Sequence, residues 1–171
     1  MEHELNILSE IPLPSDADLI RQGMLLDKQT FEQIYKRDQE ALAILGYTNR
    51  EIADFLAPLC ELCNLHDWNV FHYTASNGKE FNVRVERFRG IKRCPWDGRV
   101  NLKHSPSSVN LHITEIGKTE TVMIAGLLRH LIEKHGFFEG GAYRVAPETI
   151  VEMFGKERVP GSIEKAKTLT L

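Results

Sequence analysis

The sequence predicts an α+β fold: a small antiparallel sheet, built from a hairpin at 69–88 and strands near 108–122, packed against helices and preceded by an N-terminal helical pair. Three observations carry this reading. Apolar residues recur at helical spacing before position 65, alternate with period two between 69 and 122, and return to helical spacing toward His135. Asn77-Gly78 stands between two alternating runs, which is a strong short-range hairpin signal. A chain of 171 residues, 42% hydrophobic and 26% charged, fits one domain of ordinary globular composition. The expected layout is an arm at 1–25, a single α+β domain at 26–160 and a tail at 161–171.

Each element follows from local chemistry. Pro12, Pro14 and the acidic cluster at 15–18 make residues 1–25 read as an irregular lead-in, packed through Ile7, Leu8 and Ile11. Phe31, Ile34, Tyr35, Ala41, Leu42 and Leu45 form the stripe of a helix at 28–45, which Gly46 is placed to end. Thr48-Asn49-Arg50-Glu51 has the form of a capping box and opens a second helix with the stripe Ile52, Phe55, Leu56 and Leu59. Pro58 removes a backbone donor and predicts a kink there, or a new short helix.

If Asn77 and Gly78 are the two hairpin loop residues, both have positive φ, Val83 lies opposite His72 and Val85 opposite Val70. One face then carries Val70, His72, Thr74, Phe81, Val83 and Val85. The wetter face carries Asn69, Phe71, Tyr73, Glu80, Asn82, Arg84 and Glu86. Val109, Leu111 and Ile113 alternate with Asn110, His112 and Thr114 as a third strand. A turn at Gly117-Lys118 leads to a short fourth strand at 119–122 and a helix at 123–135 closed by Gly136. An edge strand is expected at 143–145, a helix from Pro147 to about Gly155, and a frayed end after Pro160.

Charge is unevenly spread. The chain carries 21 Lys and Arg against 24 Asp and Glu, a net charge of −3. Residues 84–104 nevertheless hold seven bases (Arg84, Arg87, Arg89, Lys92, Arg93, Arg99 and Lys103) against Glu86 and Asp97. The first 67 residues hold 13 acids and 5 bases. Such segregation marks where an anion is attracted and where it is repelled. The basic segment either neutralises phosphates, with Phe88 or Trp96 stacking a base, or offsets the acidic half within the chain or across a homo-oligomer. An overall acidic charge weighs against a dedicated nucleic-acid domain.

No apolar run approaches the ~20 residues of a membrane span, and the acidic N-terminus lacks a signal-peptide core. Three cysteines do not make a disulfide framework, so reduced thiols and a cytoplasmic location are expected. Cys60, Cys63 and His66 have zinc-ligand spacing, with Cys94 or His72 as a fourth, yet both cysteines fall on the apolar stripe of the second helix and read as core. His130 and Glu133 share a helix side. His135 lies about 140° further round the helix from His130, so the two histidines cannot easily share an ion, and His135 falls on the apolar stripe. Cys94 beside Lys92 and Arg93 has surroundings that favour a thiolate, without a histidine assigned to it.

The expectation is therefore a binding module for an anionic partner: a phosphorylated ligand, a nucleic acid or an acidic protein surface. Its contacts would be Arg87, Arg89, Lys92, Arg93, Trp96 and Arg99, with no cofactor, no metal and no membrane. The alternative is a small metal- or cysteine-dependent enzyme using Cys94 and nearby histidines.

Overall fold

The computed structural model describes residues 12–65, 69–90, 92–98 and 108–171. The order is α1 (Asp16–Arg21), α2 (Phe31–Leu45), α3 (Asn49–Leu65), β1 (Val70–Thr74), β2 (Glu80–Arg87), β3 (Val109–Glu115), β4 (Thr121–Ala125), α4 (Leu128–His135), α5 (Pro147–Phe154) and α6 (Ser162–Lys167). The four strands form one antiparallel sheet in sequence order. This is the predicted α+β class. No described helix is long and apolar enough to cross a membrane.

Helix ends are set by neighbours in sequence. Thr30 and Gln33 make a reciprocal capping box at the start of α2, and Gly46 ends it in the left-handed region at φ 72°. At α3 the Glu51 amide donates to Thr48 Oγ1 (3.2 Å), while Glu51 Oε2 accepts from the Thr48 amide (2.9 Å). The α3 helix runs through Pro58 to Leu65 rather than restarting at the proline. α1 falls inside the region expected to be irregular, with Ser15 and Asp18 as its capping box and Leu19 fully buried. Ile7, Leu8 and Ile11 lie outside the described residues.

The hairpin register differs from expectation by one residue. Val83 pairs with Phe71, and His72 pairs with Asn82. The Ala75 amide donates to Lys79 O and the Gly78 amide to Ala75 O, so the loop has three residues, 76–78. Gly78 has φ 87° and Asn77 does not have positive φ. A one-residue slip exchanges the faces of β1: Phe71 and Ala75 are buried, while Val70, His72 and Thr74 are exposed. The cause is tertiary. Asn77 Nδ2 donates to Met153 O (3.0 Å) and Gly155 O (2.9 Å) at the end of α5, and its Oδ1 accepts from the Lys79 amide.

Phe71, Phe81, Val83, Val85, Leu111, Ile113 and Ile124 face one core with Leu56, Leu59, Leu128, Ile132, Phe138 and Phe154. β4 extends to Ala125 because Ile113 pairs with Val122 and Leu111 with Ile124, so α4 begins at Leu128, not near 123. Residues 143–145 are not a strand, and residues 162–167 form a helix where a frayed end was expected. Buried charge holds α6 in place. Both Arg37 guanidinium nitrogens bond the Glu148 carboxylate on α5. Nη2 also donates to Ala166 O and Leu169 O (both 3.2 Å). Fully buried Asp38 accepts from Arg144 at 2.7 and 2.9 Å and from Arg37 at 3.3 Å.

Candidate metal centre

The connector after β2 and the end of α4 meet over a second, smaller core of Leu19, Met24, Leu25, Ile34, Cys94, Leu127, Leu131 and Phe137. Two local devices shape the connector. Pro95 begins a tight turn that closes with the Gly98 amide donating to Cys94 O (2.8 Å), and Gly98 takes φ 65°. Within that turn the backbone N–H groups of Asp97 and Trp96 are directed at the Cys94 sulfur. Trp96 stacks on the His135 ring, with centroids 4.6 Å apart, and also packs against Phe31 and Phe137.

This packing brings together side chains that the helical wheel keeps apart. The His130 and His135 rings lie 5.4 Å centroid to centroid. Both present Nε2 to the same oxygen, Asp97 Oδ2, at 2.9 and 3.9 Å. Cys94 Sγ is 3.3 Å from His135 Nε2. One ligand atom from each of Cys94, Asp97, His130 and His135 lies within 4.8 Å of the others. The two imidazoles, expected to lie too far apart around the helix to share an ion easily, thus approach one carboxylate oxygen together. An angle of about 140° separates their Cα directions, but the connector meets α4 at its end, and both imidazoles approach the same Asp97 oxygen. Glu133 instead approaches Lys134 at 3.8 Å.

The electrostatics suit ligation better than nucleophilic catalysis. Burial pushes the Cys94 thiol up to about 11, opposed by the two amides aimed at the sulfur. Burial, with His130 adding to it, holds His135 down at about 4, so its imidazole is neutral near pH 7. A nucleophile–base–carboxylate relay needs one imidazole nitrogen on the nucleophile and the other on the orienting carboxylate. Here a single atom, His135 Nε2, faces both Cys94 and Asp97. With bonds of about 2.0–2.3 Å, a tetrahedral zinc site has ligand atoms separated by roughly 3.3–3.6 Å. The three separations of 2.9, 3.3 and 3.9 Å straddle that range.

The residues expected to hold an anion have different local surroundings. Arg87 donates to Cys63 O (2.9 Å), Lys92 Nζ sits 3.4 Å over the Tyr143 ring, and Arg89 and Arg93 are exposed. Trp96 is half-buried in the aromatic stack. Arg99, Lys103 and His104 lie outside the described residues, as does His66. Cys60 and Cys63 are buried as expected, and burial raises both thiols, Cys60 to about 12. Sequence reasoning passed over Asp97. The readable signal was Cys94-Pro95-Trp96-Asp97-Gly98, two ligand-type side chains three apart across a Pro–Gly turn.

A scan against protein-family models and searches of curated proteins and of solved structures return no match.

Proposed function

We propose that this is a metal-braced binding domain: Cys94, Asp97, His130 and His135 hold one zinc-type ion, which fixes the basic connector against α4. The observation that carries the reading is the convergence of four ligand atoms within 4.8 Å from two segments distant in sequence. One sulfur, two imidazoles and one carboxylate suit Zn²⁺ or a similar transition metal, not Mg²⁺ or Ca²⁺, which prefer all-oxygen shells. Four protein ligands make a closed, structural type of centre. Cys94 and His130 would form its buried side, and Asp97 and His135 its half-exposed side. When bound, the ion would supply a fixed positive charge and a cross-link. The braced segment carries Arg89, Lys92 and Arg93, which keeps an anionic partner as the binding target.

Cobalt substitution tests the centre. One Co²⁺ per chain is expected, with the visible bands of tetrahedral cobalt and a thiolate charge-transfer band that Cys94→Ser removes and Cys60→Ser leaves. No uptake of Co²⁺ or Zn²⁺, or uptake lost on Cys63→Ser and kept on Cys94→Ser, overturns the reading.

A further inference from the structure

β4 is an edge of the sheet, and its outer side carries unmatched backbone groups. The phase of its ladder is fixed where the Gly126 amide donates to Val109 O (2.8 Å). Hydrogen-bonded pairs recur every second residue in an antiparallel ladder, so Val122 and Ile124 bond to Ile113 and Leu111 of β3. Thr121, Met123 and Ala125 therefore turn their amides and carbonyls away from the sheet. Ala125 is buried, whereas Thr121 is exposed and Met123 half-buried. Among the described residues, the backbone groups of Thr121 and Met123 have no hydrogen-bond partner.

An open groove of about 540 Å³ follows this edge. Its opposite wall is Ala142, Val145, Ala146 and Thr149, around the start of α5. Arg144 is the charged residue of the lining, and its guanidinium is committed to Asp38 and to Glu139 O. Charged side chains, prolines and bulges keep edge strands from pairing with other chains. β4 reads Thr-Val-Met-Ile-Ala, without charge or proline, and its ladder with β3 runs without a bulge. The other edge differs. On β1, His72 lies 3.6 Å from Glu80, and Glu80 and Arg84 are its diagonal neighbours on β2. Pairing two such edges would bring titratable and charged side chains together.

The β4 edge fits an extended, uncharged strand, and every copy of the chain carries both that edge and a strand that matches it. We propose that the chain forms a dimer in which two β4 strands pair antiparallel about a twofold axis at Val122, joining two sheets into one. Thr121 then lies opposite the partner's Met123, each such pair exchanging both backbone hydrogen bonds. This register sets outward-facing residues against outward-facing residues and uses the accessible half of the strand. The Glu120 side chains of the two copies stand four positions apart along the paired strands, roughly 13 Å, beyond the ~8 Å screening length. The contact is isologous, so it closes at two copies. It goes beyond the metal-braced reading and does not depend on it.

Sedimentation velocity from roughly 1 to 200 µM tests the proposal, with amide hydrogen exchange measured at both ends of the range. The mass should double as concentration rises, without larger species. The Thr121 and Met123 amides should exchange at least tenfold more slowly in the dimer, and the His72 amide should not change. Met123→Lys sets like charges diagonally across the pair and should weaken association at least tenfold. Thr121→Pro removes an outward donor while sparing the β3 ladder and should do the same. If one of these variants fails to fold by circular dichroism, the other decides. His72→Lys on β1 and Cys94→Ser at the metal centre should both still dimerise. A protein that stays monomeric at every concentration overturns the proposal and leaves the edge to a strand of another protein. A dimer that survives both β4 variants, or that is lost on His72→Lys or Cys94→Ser, also overturns it. So does an open-ended series of larger species, which would mean that β4 pairs with β1.

Discussion

Two groups of largely buried ionisable side chains are built on opposite principles. Arg37, Asp38, Arg144 and Glu148 alternate in sign, and the guanidinium groups spread their donors over two carboxylates and three carbonyl oxygens. Cys94, Asp97, His130 and His135 instead direct ligand atoms at one another, with Glu139 nearby in sequence and strained. The first group satisfies itself, so its role ends with tying α2, α5 and α6 together. The second gathers one sulfur, two imidazoles and one carboxylate at a single point. Burial of ionisable groups is common to both, and the two differ in how their polar atoms are matched.

The largest effect should come from breaking the self-satisfied group. Arg37→Met leaves Glu148 and Asp38 buried with lost partners and should cost about 3–5 kcal/mol in urea denaturation. A loss below about 1 kcal/mol would mean that the network is not what holds α6.

Glu139 should respond to pH in the opposite sense to an ordinary paired carboxylate. Burial pushes its folded value up to about 7, above the 4.5 of an unperturbed glutamate. Stability contributed by the protonated form is full below 4.5 and disappears as pH rises through 7. Lys92 moderates this shift, and Arg144 acts on the backbone carbonyl. Wild type should therefore lose stability relative to Glu139→Gln across that window, by up to about 3 kcal/mol. Parallel melting-temperature profiles that do not diverge would put Glu139 in the self-satisfied class.

Metal should stabilise the convergent group alone. Zinc at roughly a hundred times its dissociation constant adds about 2.7 kcal/mol to the folded state. Thermal melts should show that gain in wild type and Cys60→Ser, and not in Cys94→Ser. The smallest effect belongs to Arg93→Gln, whose exposed charge should change stability by less than about 0.5 kcal/mol. A larger loss would make the basic connector a structural partner of the acidic half.

Much of the helical frame was legible because its determinants are three or four residues apart. Thr48 and Glu51 cap each other, Gly46 and Gly136 end their helices at positive φ, and Pro147 opens α5. The alternation of Val109, Leu111 and Ile113 likewise needed only one strand to be read. The hairpin turn was half legible: Gly78 behaves as its type demands, while Asn77 is drawn away by the carbonyls of Met153 and Gly155. Short apolar runs such as 121–125 fit a strand or a helix equally until a neighbour pairs with them.

The sequence by itself determined the α+β class, the capped helices, the buried cysteines of α3 and the concentration of positive charge at 84–104, since each follows from local sterics, periodicity or composition. Only the tertiary structure decided which face of β1 is buried, that α6 is pinned by Arg37, and that His130 and His135 meet across Asp97. Those outcomes depend on contacts between residues tens of positions apart. The direction in which a side chain finally reaches is set by the segment that crosses it, and one helix considered alone contains no information about that segment.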